Sequence, residues 1–194
     1  MRSWWAGAAL AVALASAGCG GTAPAPVWHG LADGCPILTA APYGITPAGE
    51  RVKPWIAPGA QAELDKVAPG ATFEHTICQY DDDSVLDPNL TADVKVFTGN
   101  AGPTQVARLF ENERTASRTS VDYAVVPDLG DDAFASYSEP WMFLRVRTGN
   151  ALVVGPVVPG DPAKKTFDLV HPLQQQVPVL TAAMKDVLAE LRTG

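Results

Sequence analysis

The stretch Leu14-Ala15-Ser16-Ala17-Gly18-Cys19-Gly20-Gly21 constrains the fold more than any other. It separates residues that are discarded from residues that must fold, and it sets the redox compartment in which they do so. Met1-Arg2-Ser3 brings one positive charge, Trp4 to Leu14 is apolar apart from Gly7, and small side chains then lead to Cys19. That is the layout of an export signal. Crossing a bilayer needs about twenty apolar residues, and the glycines from Gly18 onward interrupt the run too early. Ala17-Gly18-Cys19 has the form of the end of a lipobox, in which small side chains admit the peptide to a signal peptidase and the thiol that follows receives a diacylglyceryl group. Ser16 stands where the motif usually carries leucine, and Ala15-Ser16-Ala17 is itself an A-x-A site for ordinary secretion, with cleavage after Ala17.

On the lipobox reading residues 1–18 are signal peptide, residues 19–33 are a flexible tether opened by Gly20-Gly21-Thr22-Ala23-Pro24-Ala25-Pro26, and residues 34–194 form one globular domain. Two or more acyl chains hold a protein stably on a membrane surface. The expected location is therefore the extracytoplasmic face of the cell membrane, with Cys19 as the anchor and the membrane as the first partner. The whole chain has 14 basic and 21 acidic side chains and a net charge of −7; losing Arg2 with the signal makes the processed chain one unit more negative. Such a surface repels phosphate backbones and disfavours nucleic acid as a partner.

With Cys19 assigned to acylation, Cys35 and Cys78 are left in an oxidising compartment, where thiols of this kind pair. The competing reading makes Cys35 a nucleophile assisted by His29, His75 or His171. No protease-like signature surrounds Cys35.

Downstream, the sequence reads as strands and helices in no repeating unit. Pro42 to Pro58 holds too many prolines and glycines for a helix interior and predicts a surface loop with Trp55-Ile56 turned inward. Gly59 to Val67 predicts a short helix. Ala71 to Tyr80 alternates, with Phe73, His75, Ile77 and Gln79 on one face and Thr76, Cys78 and Tyr80 on the other; Cys35 must reach Cys78 from the second face. Asp81 to Asn89 is an acidic turn without the glycine and glutamate of a calcium loop, Leu86 and Ala92 standing in their places. Thr91 to Thr98 is a second strand. Gly102-Pro103 opens a helix with Val106, Leu109 and Phe110 at helical spacing.

Ser120 to Val126, Ala133 to Ser138, Trp141 to Arg147 and Ala151 to Val158 read as further strands, the last two joined at Thr148-Gly149-Asn150. Arg145 and Arg147 share one face of theirs, expected to be exposed. A closing helix is expected to begin at Pro178, with Leu180, Met184, Val187, Leu188 and Leu191 as its buried stripe. The fold class is α+β: a mostly antiparallel sheet of about five or six strands, helices packed on it, and one disulfide.

Cys35-Pro36-Ile37-Leu38-Thr39, Cys78-Gln79-Tyr80, Asp128-Leu129-Gly130-Asp131-Asp132-Ala133-Phe134 and Leu144-Arg145-Val146-Arg147-Thr148-Gly149-Asn150 resemble the actinobacterial cell-envelope lipoproteins grouped as a domain of unknown function. The resemblance runs from about Cys35 to Leu191 and departs between Ala40 and Gly59, where that family has a short helix. It implies a disulfide-linked domain on the outer face of the cytoplasmic membrane and brings no catalytic residues.

The leading functional reading is a non-catalytic binding or adaptor lipoprotein, without cofactor or metal, meeting an envelope protein, a lipid or a glycan through a groove between sheet and helix. The chain lacks G-x-S-x-G, H-E-x-x-H and a phosphate-binding glycine loop. A second reading is a metal-dependent hydrolase using Asp128, Asp131 or Asp132 with His75 or His171. A third is a structural surface antigen.

Overall fold

Alternation of side chains about the backbone sets the strands of this chain, and the computed structural model describes residues 26–32, 34–39, 49–54, 59–80, 90–120, 122–138, 141–159 and 172–193. In chain order the elements are β1 (Trp28–Leu31), β2 (Glu50–Val52), α1 (Ala60–Val67), β3 (Phe73–Tyr80), β4 (Leu90–Phe97), α2 (Gly102–Ser117), β5 (Asp122–Val125), β6 (Asp132–Ser138), β7 (Trp141–Thr148), β8 (Ala151–Pro159), α3 (Pro172–Ala189) and β9 (Leu191–Thr193). The signal segment, Cys19, Trp55-Ile56, the acidic turn Asp81–Asn89 and His171 lie outside the described residues.

Seven strands form one sheet in the order β2-β3-β4-β8-β7-β6-β5, antiparallel throughout, and β1 pairs with β9 in a separate two-stranded sheet. The path explains the order. β3 and β4 form a hairpin, α2 carries the chain across one face to the far edge, and the meander from β5 to β8 walks back until β8 pairs with β4. The protein is thus α+β, its main sheet one strand larger than the upper expectation of six and accompanied by a separate two-stranded sheet.

Both faces of the sheet are covered. On one, Cys78, Val94, Leu144, Val146 and Val153 pack with Leu180, Ala183, Met184 and Val187 of α3. Full burial of each large apolar side chain contributes about 1.5–3 kcal/mol, so this layer holds most of the hydrophobic stabilisation. Gly155 sits in β8 where a Cβ would strike Met184 Cε, and the missing side chain lets α3 lie close. On the other face Phe97, Phe134 and Leu152 meet Val106, Leu109 and Phe110 of α2, with Leu64 and Val67 of α1 at the margin.

Three expectations are corrected. The segment 19–33 is not tether throughout, because Trp28 pairs with Thr193 and Leu31 with Leu191, and Leu31 is buried. The partner strand stands more than 150 residues downstream, beyond what local composition records. Asn150, buried in the β7–β8 turn, fastens β1 by accepting from Trp28 N (2.7 Å) and donating to Trp28 O (3.0 Å) and Phe97 O (2.7 Å). Gly149 beside it has φ 54°, and a Cβ there would collide with the Pro26 carbonyl.

Within the expected loop Pro42–Pro58, residues Glu50–Val52 add an edge strand to β3, and Arg51 secures it by donating to Ala32 O (2.5 Å) and Gly34 O (3.0 Å). Pro178 does not open the last helix but lies inside it, on an exposed position. An interior proline costs about 3 kcal/mol. Burial of Leu173, the partial burial of Val177, and the Leu173 N–H donated to Asp122 Oδ2 (3.4 Å) favour helix on its N-terminal side.

Candidate functional site

The residues singled out from the sequence do not converge. Cys35 and Cys78 are joined by a disulfide, with Cα atoms 5.6 Å apart, so neither sulfur is a nucleophile. The bond lies on the α3 face, as the alternation of β3 requires, whereas His75 belongs to the opposite face. Asp131 accepts from Gly149 N (2.8 Å) and from Arg147 Nη1 (3.3 Å), and Asp132 pairs with Arg114. Asp128 has φ 57°, which places it in the tight turn with Gly130 at φ 63°. Among the described residues no three His, Cys, Asp or Glu side chains are grouped to hold a metal ion.

Arg145 and Arg147 are not on an exposed face but beneath α2. The Arg145 guanidinium stacks on Phe143 (4.6 Å to the ring centroid) and Phe134 (5.5 Å), donates from Nε to Glu113 Oε2 (2.6 Å), and reaches Ser136 Oγ (3.1 Å). Arg114, from α2, stacks on Phe110 at 4.8 Å. The phenylalanines that bury α2 also offer ring faces to cations, and the flat guanidinium suits that surface. These arginines are occupied by the fold and are not available to a carboxylate ligand.

The sheet carries a different constellation between the two helices. α1 starts after Gly59 (φ 87°) and stops at Ala68, whose N–H bonds to Leu64 O (2.7 Å), before Pro69-Gly70 turns the chain into β3. α2 starts where Gly102 lies against the Phe97 carbonyl, too close for a Cβ. The two short connections set the helices side by side without closing the space between them. What remains is a cleft of about 400 Å³, with Phe73, His75 and Lys95 as floor and Leu64, Val67, Leu109, Asn112 and Glu113 among its walls. Its size falls in the range of small-molecule sites.

Asp93 ties together the two polar residues of the floor. His75 Nε2 lies 2.9 Å from its Oδ1, and Lys95 Nζ is 2.7 and 2.8 Å from its two oxygens. Burial pushes the Asp93 carboxyl up, but the hydrogen bonds from His75 and Lys95 and the ammonium charge outweigh it and hold it below the ordinary aspartate range. His75 Nδ1 is covered and has no hydrogen-bond partner, and its ring meets Phe73 edge to face at 6.0 Å. An aspartate behind a histidine is half of a nucleophile-activating array. The described lining of the cleft contains no serine, threonine, cysteine or tyrosine for it to activate.

A second depression, of about 470 Å³, borders Val27, His29, Phe97 and Asn150 where the N-terminal segment joins the domain. The polar groups of Asn150 there are already used to hold β1.

Asp93 and Lys95 are the site residues that sequence reading passed over. The available signal was an Asp-x-Lys pair on the same strand face as Phe97, opposite a strand whose His75 occupies the matching face. Nothing local announces that two helices will leave a gap above it.

The class these features define is a two-faced antiparallel sheet with one helix behind and two in front, carrying a lateral cleft. Among known proteins, no family model, no curated protein and no solved structure matches the chain.

Proposed function

We propose that this protein is a non-catalytic binding or adaptor lipoprotein of the actinobacterial cell envelope, anchored by acylated Cys19 on the extracytoplasmic face of the membrane. Its folded domain receives its ligand or envelope partner in the cleft between α1, α2 and the sheet. The observation that carries the reading is the make-up of that cleft: an apolar surface from Leu64, Val67, Phe73 and Leu109, the Asp93–His75–Lys95 cluster at its base, and no serine, threonine, cysteine or tyrosine in the described lining. The disulfide fits an oxidising compartment. No helix among the described residues is long and apolar enough to cross a membrane, which is compatible with attachment by lipid.

The test is mass spectrometry of the processed protein recovered from its own envelope. Denaturing conditions are expected to give the mass of a chain starting at acylated Cys19, and native conditions a retained lipid, glycan or peptide. A bare N-terminus overturns the anchor. A stoichiometric zinc or calcium ion with no organic ligand overturns the binding role in favour of the hydrolase, and a domain that never retains anything favours the structural antigen.

A further inference from the structure

Three ionised side chains border the cleft besides the His75 floor, and each already has a partner inside the chain. Lys95 is held on Asp93, Glu113 on Arg145 (2.6 Å), and Glu63 on Lys66 (2.5 Å). A charged headgroup drawn to the floor of the cleft would shed water and meet the neutralised pairs of Lys95 and Glu113, while the Glu63–Lys66 pair stays exposed to solvent. An uncharged acceptor meets a better reception. An ammonium has three N–H donors, of which Asp93 engages two, and the exposed Asn112 adds a carboxamide at the α2 wall. Leu64, Val67, Phe73 and Leu109 provide the apolar remainder, and burying hydrocarbon against them is the source of affinity.

We infer that the cleft selects uncharged amphiphiles: molecules with a short hydrocarbon body, seated against Leu64, Val67, Phe73 and Leu109, and a hydroxyl or carbonyl head accepting from Lys95 and Asn112. This rests on the reading of the cleft as a binding site and names the ligand class.

The test uses three probes with the same tail and different heads: octyl glucoside, octanoate and octyltrimethylammonium, each kept below its micelle concentration. They are titrated calorimetrically into the exported chain carrying Cys19→Ser, which has no acyl group to compete. Octyl glucoside is expected to bind saturably, one per chain, at least tenfold more tightly than either ion. Leu64→Glu is expected to weaken it more than tenfold, and Asn112→Ala, at an exposed position that leaves folding alone, several-fold. Tighter binding of a charged probe that Leu64→Glu still abolishes overturns the head selectivity while leaving the cleft as a site. Saturation by none of the three, or binding indifferent to both substitutions, overturns the inference itself; the ligand retained from the envelope decides the binding role separately.

Discussion

Breaking the Cys35–Cys78 bond is the perturbation whose size follows most directly from the structure. The bond closes a separation of 43 residues, for which the chain-entropy estimate is about 4 kcal/mol at 25 °C. The native contacts around it are not dispensable either. Cys78 and Leu38 are fully buried, Gly49 packs so closely on Tyr80 and Cys35 that no Cβ fits, and Thr39 holds Asp186 of α3 through its N–H (2.7 Å). Domains have about 5–15 kcal/mol of total stability, so the bond accounts for a large share. With a urea slope of about 2 kcal/mol per molar, reduction is expected to lower the unfolding midpoint by about 2 M. The assay compares oxidised protein with protein reduced while unfolded and then refolded in reductant, so that no side chain changes. Coincident midpoints, or two titratable thiols at these positions in the exported protein, would refute the reasoning.

Other perturbations test the polar contacts. Asn150→Ala leaves Trp28 N and Phe97 O without their side-chain partner and is expected to cost about 2–3 kcal/mol and to speed amide exchange in β1, as read by urea unfolding and hydrogen exchange. Asp93 titrates below the ordinary aspartate range in the fold, so its ionised form stabilises above about pH 4 and that contribution is lost as pH falls through its depressed value. Asp93→Asn should therefore lower the melting temperature at neutral pH and flatten the acid branch of its pH profile; an unchanged branch would assign acid sensitivity elsewhere. Arg145→Ala removes a partly buried ion pair and two ring contacts and is expected to cost about 2 kcal/mol in thermal or urea unfolding, of which Arg145→Lys should restore less than half because an ammonium cannot lie flat on Phe143.

Much of the fold was legible because short-range periodicity records which face of an element meets the core. The alternation in Phe73–Tyr80 placed Cys78 opposite Ile77, and the structure finds the disulfide on that side. The run around Thr148-Gly149-Asn150 declared a hairpin, and Val106, Leu109 and Phe110 declared the buried side of α2. Errors came where a distant partner overrode local composition. His29-Gly30 looked like linker until the chain's last strand paired beside it, and Pro178 looked like a helix start until burial of Leu173 extended the helix behind it. The arginines of β7 looked solvated because nothing local says that α2 will cross above them.

The amino-acid order determined the α+β class, the pairing of the two cysteines and the strand faces, since each depends on neighbours a few residues away or on a count of thiols. Strand order, the internal use of Arg145 and Arg147, the Asp93 cluster and the cleft above it were decided by tertiary structure alone. Each is made by segments far apart in the chain, and the space between α1 and α2 depends on how two helices come to rest on a shared sheet, a property that no single stretch of residues possesses.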